Sequence, residues 1–116
     1  MMIVSHKNDV PSVKVENAQA KGAEMKVLIS PKEGWEGYVM RVFTVEANGY
    51  TPKHSHPWPH INYIIGGKGR LYLNGEYKDL EAGSFAYVPS GAEHQFENVG
   101  DGTFEFMCIV PEEGHK

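Results

Sequence analysis

Cysteine is nearly missing from this sequence. Cys108 is the only one among 116 residues, so no disulfide can form within the chain, and a reducing cytoplasm is the expected location. Long apolar stretches are missing as well. The longest runs reach four or five residues, against the ~20 needed to cross a bilayer as a helix, so no membrane partner is expected. The first ten residues, MMIVSHKNDV, lack the basic region and apolar core that mark a secretory signal. Nor is there a basic stripe. The 11 Lys and Arg are scattered and the formal net charge is -4, which argues against nucleic acid as a partner. No repeat or low-complexity segment interrupts the chain, and its length suits one domain with one core.

What is present is strand-forming sequence. YVMRVFTVE (38–46) is β-branched and aromatic and ends at ANGY; HINYII (60–65) runs into GGKG; GSFAYVPSG holds a short strand closed by Pro89 and Gly91. RLYLNGEYKDL carries Asn74-Gly75 between two alternating runs, the strongest short-range sign of a hairpin. TFEFMCIV (103–110) reads as a last long strand. Ahead of Tyr38 the patterning is weak. VPSVKV predicts a short edge strand, and Gly22 interrupts the stretch 15–29, so no helix is expected there. The expected organisation is an N-terminal segment with edge strands (1–36) followed by a barrel (37–112), together one domain. Many short strands with Gly-rich turns make the class all-β, a sandwich or a barrel.

Half of the six histidines stand in seven positions, HSHPWPH at 54–60. His54 and His56 project from one face if that stretch is extended. Pro57 and Pro59, on either side of Trp58, end the run and stiffen a turn, and His60 opens the next strand. Three imidazoles around one corner suit a transition metal. Taken alone, they also suit an exposed cluster that binds nothing of consequence. His94 is the remaining histidine away from the termini; His6 and His115 read as solvated.

The second segment decides between these readings. GSFAYVPSGAEHQFENVG sets Gly83, Pro89-Ser90-Gly91, His94 and Asn98 at spacings that resemble the second motif of the cupin superfamily at every fixed position. The first segment resembles the first cupin motif: H-x-H, a short spacer, a ligand, then Gly67. It departs from that motif twice, because Gly49 lies one residue closer to His54 than usual and His60 stands where most cupins have glutamate. The resemblance covers residues 49–98. It implies a double-stranded β-helix, a jelly-roll barrel, with one divalent ion inside (Fe, Mn, Ni, Cu, Co or Zn) held by His54, His56, His60 and His94. It also brings this chain near the small single-domain cupins with all-histidine sites, several of which are homodimers.

Four neutral ligands leave a divalent ion its full charge, which acidifies bound water and favours an anionic ligand. Alternation then predicts what lines the barrel. Asn62 shares the face of His60, and Val39, Arg41, Phe43 and Val45 form the more apolar face of their strand. Arg41 either holds a substrate carboxylate, and so acts in catalysis, or pairs with an acidic side chain. Trp58 walls the pocket mouth or packs at a subunit interface. Phe104, Phe106 and Cys108 face inward and are assigned to the pocket, although plain packing explains them too. Ile61, Tyr63 and Ile65 form an apolar outer face, which predicts a homodimer. The expected function is a metal-dependent oxygenase of a small organic molecule. A decarboxylase or lyase on a small oxyanion follows, weakened by the missing glutamate, and a non-catalytic sensor or carrier stands as the alternative. A sugar isomerase would not need the ligand set.

Overall fold

The strands form where β-branched and aromatic residues alternate, and they break where glycine takes a positive φ or proline removes a donor. In the computed structural model, which describes residues 2–115, nine strands follow one another. They are β1 (Val13–Lys14), β2 (Lys21–Ile29), β3 (Tyr38–Tyr50), β4 (His60–Gly66), β5 (Lys68–Leu73), β6 (Glu76–Glu81), β7 (Phe85–Val88), β8 (His94–Asn98) and β9 (Phe104–Pro111). Every pairing is antiparallel, in the order β6-β5-β8-β3-β9-β4-β7, with β2 on β3 and β1 on β2. The strands wrap into a nearly closed β-barrel, as expected for a jelly roll.

The β5–β6 hairpin turns on Asn74 and Gly75, both at positive φ (46° and 88°). That is the primed turn whose twist matches the flanking strands. Gly22, which argued against a helix, also has a positive φ, and its stretch forms β2, paired along β3. The expected edge strand at VPSVKV is β1, two residues long. Near the N-terminus, a turn at Lys7–Asp9 is tied down by Lys26 Nζ donating to the Lys7 carbonyl at 2.8 Å and by a Lys7–Glu105 ion pair at 3.2 Å.

The core joins residues from both ends of the strand order: Leu71, Leu80 and Phe96 meet Val45, Ile64, Val88, Phe104 and Phe106. Burying a ring of this size contributes roughly 1.5–3 kcal/mol. Phe104 is fully buried, and its ring lies directly over Gly69, where a Cβ would collide with it. β4 alternates strictly, with His60, Asn62 and Ile64 buried and Ile61, Tyr63 and Ile65 exposed. This pleat turns polar side chains into the barrel beside the apolar core.

Candidate metal centre

Local backbone pairing brings the two histidine segments together. His54 and His94 exchange both backbone hydrogen bonds, at 3.1 and 2.9 Å, as an isolated antiparallel bridge. Gly91 donates to the His56 carbonyl at 2.8 Å, and His60 opens β4 opposite Val88. One ring nitrogen each from His54, His56 and His94 lie within 4.8 Å of one another. His60 joins through His94, with its Nε2 3.2 Å from the Nε2 of His94. Ring centroids of neighbouring pairs are 4.8 to 5.3 Å apart.

Hydrogen bonds at the far side of the rings select the tautomers. His56 Nδ1 donates to the Trp58 carbonyl at 2.8 Å, His94 Nδ1 to the Ala92 carbonyl at 2.9 Å, and His60 Nδ1 to Asn62 Oδ1 at 2.6 Å. A neutral imidazole carries one hydrogen, so each Nε2 is left with a bare lone pair. Burial, the dominant cause, and then the charge of His94 push His60 down to about 3. Burial pushes His94 down to about 4, against the opposing bond to Ala92. His54 is also lowered, by burial and then by His56 and Arg41. Protonation is therefore an unfavourable way to satisfy the facing lone pairs. A cation accepted by those nitrogens is a favourable one, and ligating histidines usually spend their other nitrogen on a carbonyl in this way.

The cluster opens into a cavity of about 590 Å³. Asn62, Trp58, Phe106, Cys108 and Arg41 line it, together with Phe43 and Phe96. Phe104 does not. Its place over Gly69 keeps it in the core, because inward alternation along β9 points both to the cavity and to the packed base of the barrel. Trp58 walls the cavity, its ring stacked 4.7 Å from that of His56 at 9°. Arg41 has no acidic partner among the described residues. Its hydrogen-bond partners are sulfur atoms, Cys108 Sγ at 3.3 Å and Met25 Sδ at 4.0 Å, its guanidinium lies over the Phe43 ring at 5.0 Å, and its buried Nε has no hydrogen-bond partner among the described residues. Burial pushes the Cys108 thiol up, against Arg41 and Asn62.

His115 corrects a second expectation. His6 is exposed, as expected, but His115 folds back and lines the cavity with its Nδ1 buried and without a hydrogen-bond partner among the described residues. The final turn, Glu112–Gly114, carries it there. No periodicity in the sequence signals a return of this kind; only Gly114, a turn residue after the last strand, hints at it.

Residues 41–110 match the family described as the cupin domain. Among solved structures, the chain is similar to the polyketide cyclase RemF from Streptomyces resistomycificus, with 31% identity, a TM-score of 0.90, and coverage of 97% of this chain and 80% of that one. It also shares its fold with a predicted oxalate decarboxylase from Thermotoga maritima, at 24% identity and a TM-score of 0.86, over 94% and 98% of the two chains. An uncharacterised protein of Aquifex aeolicus is 45% identical over 38 residues, a stretch that covers 33% of this chain and 31% of that relative.

Proposed function

Because the chain belongs to the cupin family, we propose that it is a metal-dependent enzyme for a small anionic organic substrate, with His54, His56, His60 and His94 as ligands of one divalent transition ion. The observation that carries this reading is the 3.2 Å approach of two Nε2 atoms, on His60 and His94, whose hydrogens are both committed elsewhere. Such an ion supplies Lewis acidity and, if it is iron, manganese or copper, redox capacity. The chain supplies the rest. Asn62, Ala92 and Trp58 hold the imidazoles in one tautomer, the phenylalanines keep water from the cavity wall, and Arg41 orients the anion.

The reaction class we favour is oxygenation, with dioxygen as the oxidant. The one carboxylate lining the cavity among the described residues is Glu16, exposed at its wall, and no nucleophile–base pair stands beside the histidines, which leaves the ion as the reactive centre. A redox-neutral ring closure is the second reading. Likeness to a polyketide cyclase along 97% of this chain favours it. Oxalate decarboxylation has weaker support, since that neighbour speaks for the fold alone and His60 replaces the usual glutamate. Metal analysis of protein purified without a nickel column, followed by oxygen-uptake assays with small organic acids, tests the assignment. Stoichiometric iron, manganese or copper with oxygen uptake supports oxygenation. Stoichiometric zinc without uptake supports ring closure, and protein without bound metal under loading conditions removes both.

We also propose a cytoplasmic homodimer. Cys108 is free and buried, which suits a reducing compartment, and no helix among the described residues is long and apolar enough to cross a membrane. The outer face of β4 and β7 exposes Ile61, Tyr63, Ile65, Phe85 and Tyr87. Tyr63 pairs with Phe85, and Ile61 with Tyr87, so the patch is continuous. A contiguous apolar sheet face of this kind marks an interface. Light scattering should give twice the chain mass, and Phe85→Glu should give the single-chain mass.

A further inference from the structure

A guanidinium carries five donors and no acceptor. Arg41 lies half-buried in the cavity wall, yet its hydrogen-bond partners are sulfur atoms, which accept weakly, and its Nε has no hydrogen-bond partner among the described residues. His115 is in a similar position: its Nδ1 is buried without a hydrogen-bond partner among the described residues, and its ring lines the same cavity. Burial, and after it the charge of Arg41, lowers the His115 pKa and keeps its ring neutral. Glu16, the carboxylate at the cavity wall, is exposed and forms no ion pair with Arg41. Buried donors without acceptors are costly unless something completes them.

The turn that delivers His115 is anchored rather than loose. The Glu112 amide donates to the Gly37 carbonyl at 2.8 Å, and the His115 amide to the Glu112 carbonyl at 3.0 Å. Gly114 packs so closely on the indole of Trp58 and on Val110 that a Cβ there would collide with both. His115 also stands outside the matched residues 41–110.

We infer that Arg41 and His115 form a two-point clamp for the carboxylate of a small organic acid whose apolar body lies against Phe43, Phe96 and Phe106. The clamp deepens the reading above and rests on it for where the substrate reacts, but the acid binds without the ion. Two donor groups from different elements fix both the position and the plane of a carboxylate. Phe43, Phe106 and Phe96 stack in a row, at 5.3 and 4.4 Å between ring centroids, and give the cavity an apolar side next to Arg41, whose guanidinium lies 5.0 Å from the Phe43 ring centroid.

Calorimetric titration of the full chain with benzoate and with benzyl alcohol, as isolated and after EDTA treatment, tests the clamp. Benzoate should bind in both states, at least about tenfold tighter than benzyl alcohol, because only the anion completes charge-assisted bonds. Arg41→Gln should weaken benzoate by at least about tenfold and His115→Ala by about three- to tenfold, with benzyl alcohol unchanged. Gly114→Ala, which lifts the turn off Trp58, should reproduce His115→Ala; Arg41→Lys, which keeps the charge without the fork, should fall between wild type and Arg41→Gln. Thermal melts verify that each variant is folded. Unchanged benzoate affinity in folded His115→Ala protein would overturn the clamp, as would equal binding of benzyl alcohol or no benzoate binding at all. His94→Ala separates the two ideas: it should lose metal and keep benzoate.

Discussion

Two groups of side chains line one cavity with opposite deficits. At the histidine cluster every assigned Nδ1 hydrogen has an oxygen to meet, and the lone pairs on the other nitrogens face one another. Around Arg41 and His115 buried nitrogens lack an oxygen partner among the described residues. The first group is short of a cation and the second of an anion. Both sets are built by the same barrel, and the contrast comes from the second layer: carbonyl and amide oxygens stand behind the histidines, sulfur atoms beside the arginine. The residue types alone do not show this difference; their partners do.

The contrast breaks most sharply at His94, whose ring neighbours those of His54, His56 and His60. His94→Ala should remove essentially all bound metal, measured by mass spectrometry of the purified protein, whereas His6→Ala should change nothing. Acid comes next. His60 and His94 titrate at about 3 and about 4 in the folded protein, below the ordinary 6.5. Between those values the unfolded chain binds more protons than the folded one, so stability present above about pH 6.5 is lost as pH falls toward 3. Metal-free protein should lose on the order of several kcal/mol across that window in denaturant titrations. A stability flat from pH 7 to pH 4 would contradict the neutral assignment.

Asn62 allows a gentler break. Asn62→Ala removes the oxygen behind His60 without touching a ligand, and should weaken metal affinity by about 10- to 100-fold in chelator competition. Arg41→Met should have the smallest effect, and one of opposite sign. Removing a half-buried donor set with no oxygen acceptor should raise unfolding stability by about 1 kcal/mol while the anion site is lost, the trade expected where function holds an unsatisfied group in place. A loss of stability in that variant would mean that the sulfur contacts already satisfy the guanidinium.

Much of the barrel was legible because its strands obey period two. Asn74-Gly75 marked its hairpin, and the inward faces of β4 and β9 followed from alternation. β8 was harder to read. Its buried face is His94, Phe96 and Asn98, two polar residues that hydropathy places outside and that the barrel buries for their hydrogen bonds. Asn98 spends its amide on the Val45 and Gly102 carbonyls at 2.9 and 2.8 Å. The four histidines came from the resemblance to the two cupin motifs, each of which is a local pattern. What escaped was non-local. That Phe104 lies on Gly69 while Phe106 reaches the cavity depends on packing between strands. That His115 returns depends on Gly114 seating against Trp58, 56 positions earlier in the chain.

The most direct test of the central claim is anomalous diffraction at the metal absorption edge, from crystals of protein purified without a nickel column. The account predicts one peak within ~2.0–2.2 Å of a ring nitrogen on each of His54, His56, His60 and His94. A peak bound elsewhere on a fully loaded protein, or one that leaves His60 or His94 unligated, would contradict it.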